Sequence, residues 1–494
     1  MITDLPLSAE ENYKMSRALP GPSGNSFWQL AQFRADPYGY LERCHEQYGE
    51  IFILRLPGQP PFHVVSGPEE IKQIMGLGHH EAERLSGAEA LLSPLSLILL
   101  QGSAHRQKRR QMNPSLSMER IRSYGPAIAE TTEQFLDTWN PVRTAPMNLR
   151  KKMQELTVRV IVRCVFGVRD WERAARLSAL VIDFINGMFS LEMLLVNVAI
   201  GTARLHQLFD ILADAVERLP PMLRGAERRV PLVHLAHTRR QTYNIIDQQI
   251  AQAAVRTEDN RDSILTQLAC SQTPDGAQMT GEDLRAQLVT LLVTGQETLA
   301  TALCWAMHCL MMNPGALSRL RAELQDAKGP GDSVSPDRVR KLPYLDAVIM
   351  ESMRLFPIFP VTARQLLQPR VVAGYALEAG SIVWASISLS HRDSARWPSP
   401  SRFLPERMLD QKVSMVQFFP FGLGAWRCIG AAFAEHEMRV VLAQMLSRFD
   451  FTPASSSQVK PRLRWMTVTP SNDLPVRITA RMKSSAGPTE PLSY

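Results

Sequence analysis

Cysteine is scarce in this sequence. Six are spread over 494 residues, at Cys44, Cys164, Cys270, Cys304, Cys309 and Cys428, and none forms a C-x-x-C pair. That excludes a disulfide framework and a cysteine-based zinc site, and it fits a reducing compartment. The N-terminus, Met-Ile-Thr-Asp-Leu-Pro, has no basic n-region and no apolar h-region, so no signal peptide is expected. No apolar run of membrane length is free of polar residues. The least charged stretch, Ala286 to Met312, contains Gln287, Gln296, Glu297 and His308, and a glutamate in hydrocarbon is costly. It reads as a buried helix of a large protein, with no membrane span and a cytoplasmic location expected. No fixed repeat period occurs, which argues against solenoids and propellers.

What is present is ordinary globular usage, with 45% hydrophobic and 21% charged residues. A chain of this length buries a core large enough to enclose a cofactor. The net charge is +7 and the pI about 9.2. The basic residues are dispersed and accompany no zinc-finger spacing or RNA-binding signature, so nucleic acid is not an expected partner. Residues 1–25 look irregular and residues 484–494 look like a loose tail. Ile51 to Leu56 and Phe62 to Val65 read as a hairpin around Pro57-Gly58-Gln59-Pro60-Pro61. Most of 103–357 reads as helices with short polar breaks, and short strands follow Pro357, such as Val371 to Ala373 and Ile382 to Ser386. The expectation is one domain over 1–494, mainly α with small β-sheets: a large helical part and a smaller sheet-rich part.

Residues 418–430 read Phe-Phe-Pro-Phe-Gly-Leu-Gly-Ala-Trp-Arg-Cys-Ile-Gly, and an apolar helix begins at Ala431. Glycines let a backbone turn tightly and approach a flat ligand. A cysteine just before a helix N-terminus gains from free amides and the helix dipole, which favour thiolate. A thiolate there is a good ligand for haem iron and favours O–O cleavage. Chemistry alone leaves a second reading open, a buried cysteine in a glycine turn.

This loop resembles the cytochrome P-450 signature F-x-x-G-x-[RH]-x-C-x-G. Phe421, Gly424, Cys428 and Gly430 match at the required spacing, while Trp426 stands where the family carries a basic residue and Arg427 follows one position later. Three further segments fall in the family's order. Glu351-Ser352-Met353-Arg354 matches E-x-x-R, and Arg407 in Phe403-Leu404-Pro405-Glu406-Arg407 resembles the arginine that joins that pair in a structural triad. Thr294-Gly295-Gln296-Glu297-Thr298 resembles [AG]-G-x-[DE]-T-[TS]. His105-Arg106-Gln107-Lys108-Arg109 resembles H-x-x-x-R.

The resemblance implies a cytochrome P-450 fold, haem b as cofactor and Cys428 as axial iron ligand. It implies that His105, Arg109 and Arg364 hold the haem propionates. Glu297 and Thr298 form an acid–alcohol pair that relays protons to where O–O cleavage needs them, and Gly295 gives space for dioxygen. Substrate is expected among apolar stretches: Leu85 to Leu100, Ile185 to Ile200, Ile358 to Thr362 and the turn at Trp465-Met466-Thr467. Thr294, Gly295, Ile358, Val361 and Met466 are the candidate lining residues. The expected reaction inserts one oxygen atom from dioxygen into a lipophilic small molecule, with electrons from an acidic ferredoxin and its ferredoxin reductase. Arg106, Lys108 and Arg110 form a candidate docking patch. Alternatives are a peroxide-using, isomerising or oxidative-coupling relative, and, from another class, a basic binding protein without haem. In an extended loop successive side chains point to opposite sides. Trp426 is therefore expected along the haem and Arg427 toward the surface, the competing arrangement being a twisted loop that brings Arg427 to a propionate.

Overall fold

The computed structural model describes residues 19–481 apart from 90–91, 142–144, 189–190, 221–228, 256–261, 273–275, 330–333 and 411–412. Residues 1–18 of the expected irregular start, and the whole of the expected tail at 484–494, lie outside the described residues. So do positions 90–91 and 189–190 of the expected substrate walls.

The helical part is built around one long helix. In order of use here the helices are α1 Pro68–Met75, α2 Gly102–Met112, α3 Met118–Asp137, α4 Leu149–Phe166, α5 Gly281–Met312, α6 Pro343–Leu355 and α7 Ala431–Arg448. Thr280 starts α5 with a reciprocal capping box: its side chain accepts from the Asp283 amide, and the Asp283 carboxylate accepts from the Thr280 amide. Leu288, Leu292, Leu299, Leu303 and Trp305 are buried, and so are Gln287, Thr290 and Gln296 on other faces. A helix enclosed on several sides belongs to a core. By length and hydropathy α5 passes for a membrane span, but 72% of its most apolar window is buried within the protein, which supports the core reading.

α4 packs along α5, and α3 packs on α7. The α4–α5 approach is close at Gly295, where a Cβ would stand 2.9 Å from Ile161 Cδ1. α5 runs as regular α-helix through that point. The missing side chain is therefore used for helix packing. The helix does not open at this point.

Among the described residues the largest sheet has five strands: β1 Ile51–Leu54, β2 Phe62–Val65, β3 Ala82–Arg84, β4 Val361–Leu366 and β5 Ile382–Ser386, in the order β1-β2-β5-β4-β3. The expected hairpin pairs Ile51 with Val65 and Leu54 with Phe62. The β3–β4 pairing sets Arg84 opposite Arg364. Buried side chains of this sheet and of α1 (Val65, Ile71, Ile74, Leu366, Val383) form one cluster with Phe419 and Trp426 of the cysteine loop. The loop is thus mounted between the sheet and α7.

Candidate functional site

The cysteine loop is shaped by one glycine above all. Gly424 has φ +68°, and a Cβ there would lie 2.1 Å from the Met75 carbonyl oxygen at the end of α1. Backbone conformation and backbone contact both demand glycine. Gly424→Ala is expected to cost about 2 kcal/mol or more and to lower the thermal midpoint together with cofactor content. An unchanged midpoint would show that the loop relaxes freely.

Beyond Gly424 the Cys428 amide donates to the Phe421 carbonyl at 2.9 Å, closing the turn, and Gly430 caps α7. Cys428 has open space beside it, yet burial is the main influence on its thiol, pushing the pKa up. Both hold together when the space is an internal cleft. The Gly430 amide and the charges of Arg84, Arg109 and Arg427 act the other way and favour the thiolate.

Around this cleft the fold gathers cations. His105 and Arg109 lie one turn apart on α2. Arg364 comes from β4 and Arg84 from the neighbouring β3. Burial pushes the Arg364 pKa down to about 9, with Arg84 adding to the effect. Burial likewise lowers Arg84 and Arg109, and it pushes His105 down to about 4, assisted by His79, Arg109, Arg84 and Arg364. The principal charges acting on these groups are other cations, His79 and the Cys428 thiol; no carboxylate is among them. Arg364 Nε is buried with no hydrogen-bond partner. Buried guanidinium groups without counter-charge are costly, so this cleft is built for a dianionic ligand beside a thiolate. Haem iron with two propionates meets both requirements.

The two residues before the cysteine part company. Trp426 is buried, with Arg364 Cζ 4.5 Å from its ring centroid and the His79 ring at 4.6 Å. Arg427 is exposed, although its charge still reaches Arg109 and Cys428.

Behind the cleft, Glu351 and Arg354 are fully buried and joined by two bonds, Nε to Oε2 at 2.7 Å and Nη2 to Oε1 at 2.8 Å. Arg407 Nε stands 3.2 Å from Glu351 Oε1. Arg354 also donates to the carbonyls of His391, Pro400 and Arg402. The pair ties α6 to the segment that leads into the cysteine loop. On α5, Thr298 Oγ1 donates to the Thr294 carbonyl and Thr294 Oγ1 to the Thr290 carbonyl, each at 2.7 Å. Glu297 turns toward α4, where Arg150 donates to both carboxylate oxygens at 3.3 and 3.4 Å and Gln154 donates to Oε2. Arg150 also pairs with Asp473.

Comparison with known proteins now bears on this arrangement. The family model described as Cytochrome P450 matches residues 19–477. The chain belongs to the cytochrome P450 family. It is 31% identical over 472 residues to the putative cytochrome P450 135B1 of Mycobacterium tuberculosis strain H37Rv, covering 94% of this chain and 92% of that one. It is 27% identical over 455 residues to cytochrome P450 4A6 of Oryctolagus cuniculus, covering 88% and 86%. The retinoic acid-bound cyanobacterial CYP120A1 superposes with a TM-score of 0.75 at 21% identity, over 94% of this chain and all of that one, a likeness of fold. As a cytochrome P450 the protein is an oxidoreductase of the monooxygenase type, with a haem-iron cofactor, dioxygen and an organic substrate.

In this cytochrome P450 the candidate substrate residues are spread over several contacts. The Ile358 carbonyl accepts from the Val468 amide at 2.8 Å, and Met466 Sδ would be 2.9 Å from a Cβ at Gly87. The 85–100 segment and the late turn therefore meet at Gly87 and Met466. The 85–100 segment is also pinned to α5: Gln287 bonds the Leu97 amide and the Leu95 carbonyl, and Ser96 bonds Thr290. Val361 and Ile358 are half-buried, and Thr294 is engaged with its own helix.

Three features escaped the sequence reading. Arg84 joins the cationic cleft only through strand pairing. Lys108, expected in a docking patch, is instead bonded to Asp283 at 2.7 Å with little exposure, because α2 packs beside the capped start of α5. An open polar groove of about 1070 Å³, lined by Arg150, Gln154, Arg159, Ser178, His237 and Asp473 among others, reaches the two residues that hold Glu297. Glu155 and Asp183 also border it. This groove is charged and solvent-facing, unsuited to the lipophilic substrate expected from the sequence.

Proposed function

We propose that this cytochrome P450 hydroxylates or epoxidises a lipophilic small molecule, with haem b ligated by Cys428 and electrons from a ferredoxin served by a ferredoxin reductase. The reading places it in the cytoplasm as one domain over 1–494. The observation that carries it is the meeting of Cys428 with Arg84, Arg109, Arg364 and His105 in one internal cleft where, among the described residues, no carboxylate is a principal charge acting on them. When bound, haem supplies iron-centred reduction of dioxygen and transfer of one oxygen atom to substrate, at the expense of two electrons and two protons.

The chain's own residues do the rest. Cys428 would hold the iron through its sulfur, with the Gly430 amide supporting its charge. Arg84, His105, Arg109 and Arg364 hold the carboxylates by charge-assisted bonds. Thr298 presents a hydroxyl midway along α5, and Glu297 beside it contacts the floor of the polar groove through Arg150 and Gln154. Protons from solvent enter by that groove, and Glu297 must exchange its hold on Arg150 for Thr298 to deliver them. The retention of this acid–alcohol pair favours monooxygenation over peroxide-using or isomerising chemistry. The apolar segments at 85–100 and 358–362 and the late turn exclude water from the substrate.

Substrate class is tested by spectral-shift titration of the full chain with terpenoids, steroids, macrolides, fatty acids and retinoic acid, the last because the structurally similar cyanobacterial protein is described bound to it. Saturable shifts with apolar members support the reading; shifts confined to polar compounds contradict it.

The donor surface, with Lys108 removed, comprises Arg106, Arg110 and Arg427. An acidic ferredoxin steered by these charges is expected to reduce the protein more slowly as salt rises, by about tenfold from dilute buffer to molar salt. Arg427→Ala should slow reduction while cofactor content stays intact. A salt-independent rate would remove the patch, and cofactor loss in Arg427→Ala would place that arginine at a propionate.

A further inference from the structure

We propose that His79 is a positioning residue that fixes the tautomer of His105, so that His105 presents an N–H to a haem carboxylate at the corner where Trp426 replaces a basic residue. This rests on the haem reading above and names a residue that neither the motif nor the family spacing singles out.

The two imidazoles are bonded, His79 Nε2 to His105 Nδ1 at 2.8 Å, with ring centroids 5.0 Å apart. His105 is almost wholly buried. Burial lowers the pKa of both, and the cations Arg106, Arg109, Arg364 and Arg84 lower them further. Before an anion binds, both rings are therefore neutral near pH 7, and each carries one N–H. A neutral imidazole donates from one nitrogen and accepts at the other, and its partner decides which. If His105 Nδ1 donated to His79, His105 Nε2 would be a bare lone pair and would repel a carboxylate. If His79 Nε2 donates, His105 Nδ1 accepts and Nε2 carries the proton. Of these two neutral arrangements only the second suits an anion, and Arg84, Arg109 and Arg364 around His105 mark this as the anion's place.

The ring of His79 is itself held. It lies 4.6 Å from the Trp426 ring, which also carries the Arg364 guanidinium at 4.5 Å. The close approach of Gly424 to the Met75 carbonyl fixes the loop against the segment that leads from α1 into His79. Trp426 thus brings no charge of its own. It is a platform that sets one cation and one hydrogen-bond relay beside the same carboxylate. The relay also explains why an aromatic ring is tolerated where a cation is usual: the charge is supplied by Arg84 and Arg364, and the direction by His79.

Packing and hydrogen bonding are separated by three variants of the full-length holo-protein. His79→Gln retains an Nε2 donor. His79→Phe keeps a ring against Trp426 and cannot donate. His79→Ala does neither. The readouts are the rate of haem transfer to excess apomyoglobin and the side-chain nitrogen–proton correlations of histidine in the diamagnetic reduced carbon monoxide form. We expect transfer to quicken about tenfold in His79→Phe and His79→Ala and to stay within about twofold of the parent in His79→Gln. His105 in the parent should be protonated at Nε2. Parent-like retention in His79→Phe, equal loss in His79→Gln and His79→Phe, or a His105 protonated at Nδ1 would each overturn the inference while leaving a red, thiolate-type parent and the haem reading intact. A parent protein that takes up no haem would overturn both.

Discussion

Arg354→Ala is expected to yield almost no soluble haem-bearing protein. Glu351 and Arg354 are both fully buried, and each serves several partners: Glu351 also accepts the Leu404 amide and the Arg407 contact, and Arg354 also satisfies three carbonyls. Without Arg354 the buried Glu351 keeps only the Leu404 amide and the Arg407 contact, and the loss of its two-point partner costs about 3–5 kcal/mol. The three carbonyls lose their donor in addition. Native proteins have only about 5–15 kcal/mol to lose. Arg354→Lys is expected to fail as well, because an ammonium cannot make the two-point bond to Glu351 while reaching His391, Pro400 and Arg402. Soluble yield and haem content per protein are the measurements. An Arg354→Lys protein with full haem content would show that charge alone suffices there.

Thr298→Ala is expected to fold normally and to waste its electrons. Among the described residues the hydroxyl bonds only the Thr294 carbonyl of its own helix, and alanine is the better helix former, so little stability is at stake. What is lost, on the proposed function, is the hydroxyl that passes protons on from Glu297. Loss of a positioned acid–base group lowers a rate by about 10²–10⁴-fold, and here the diverted electrons should appear as peroxide. Product formed per reductant consumed should fall by at least about tenfold. Thr298→Ser, which keeps the hydroxyl, should recover most of it. Unchanged product yield in Thr298→Ala would remove Thr298 from proton delivery. The substrate for this assay is whichever compound gives the strongest spectral shift.

The two variants probe features that differ in how readily the sequence reveals them. The cysteine loop and the E-x-x-R pair are legible because their partners sit within a few residues and their spacing encodes the geometry. Even so, an E-x-x-R pair read alone looks like surface charge; only the fold shows Glu351 and Arg354 without solvent contact. Arg84 was illegible because it enters the cleft through the pairing of strands from distant parts of the chain. The same is true of Lys108, whose charge is taken up by Asp283, and of Arg150, which holds Glu297 from another helix. Local patterns announce which residues carry chemistry. Long-range packing decides what charges and volumes surround them.

The account stands on Cys428 as the thiolate ligand, and the most direct test is the absorption spectrum of the reduced, carbon monoxide-treated full-length protein, compared with that of Cys428→Ala. The parent is expected to be red and to show the strongly red-shifted Soret band of thiolate ligation. Cys428→Ala is expected to lose that band whether or not it retains haem through Arg84, Arg109, Arg364 and His105. A colourless, folded parent, or a Cys428→Ala spectrum indistinguishable from the parent's, would contradict the account.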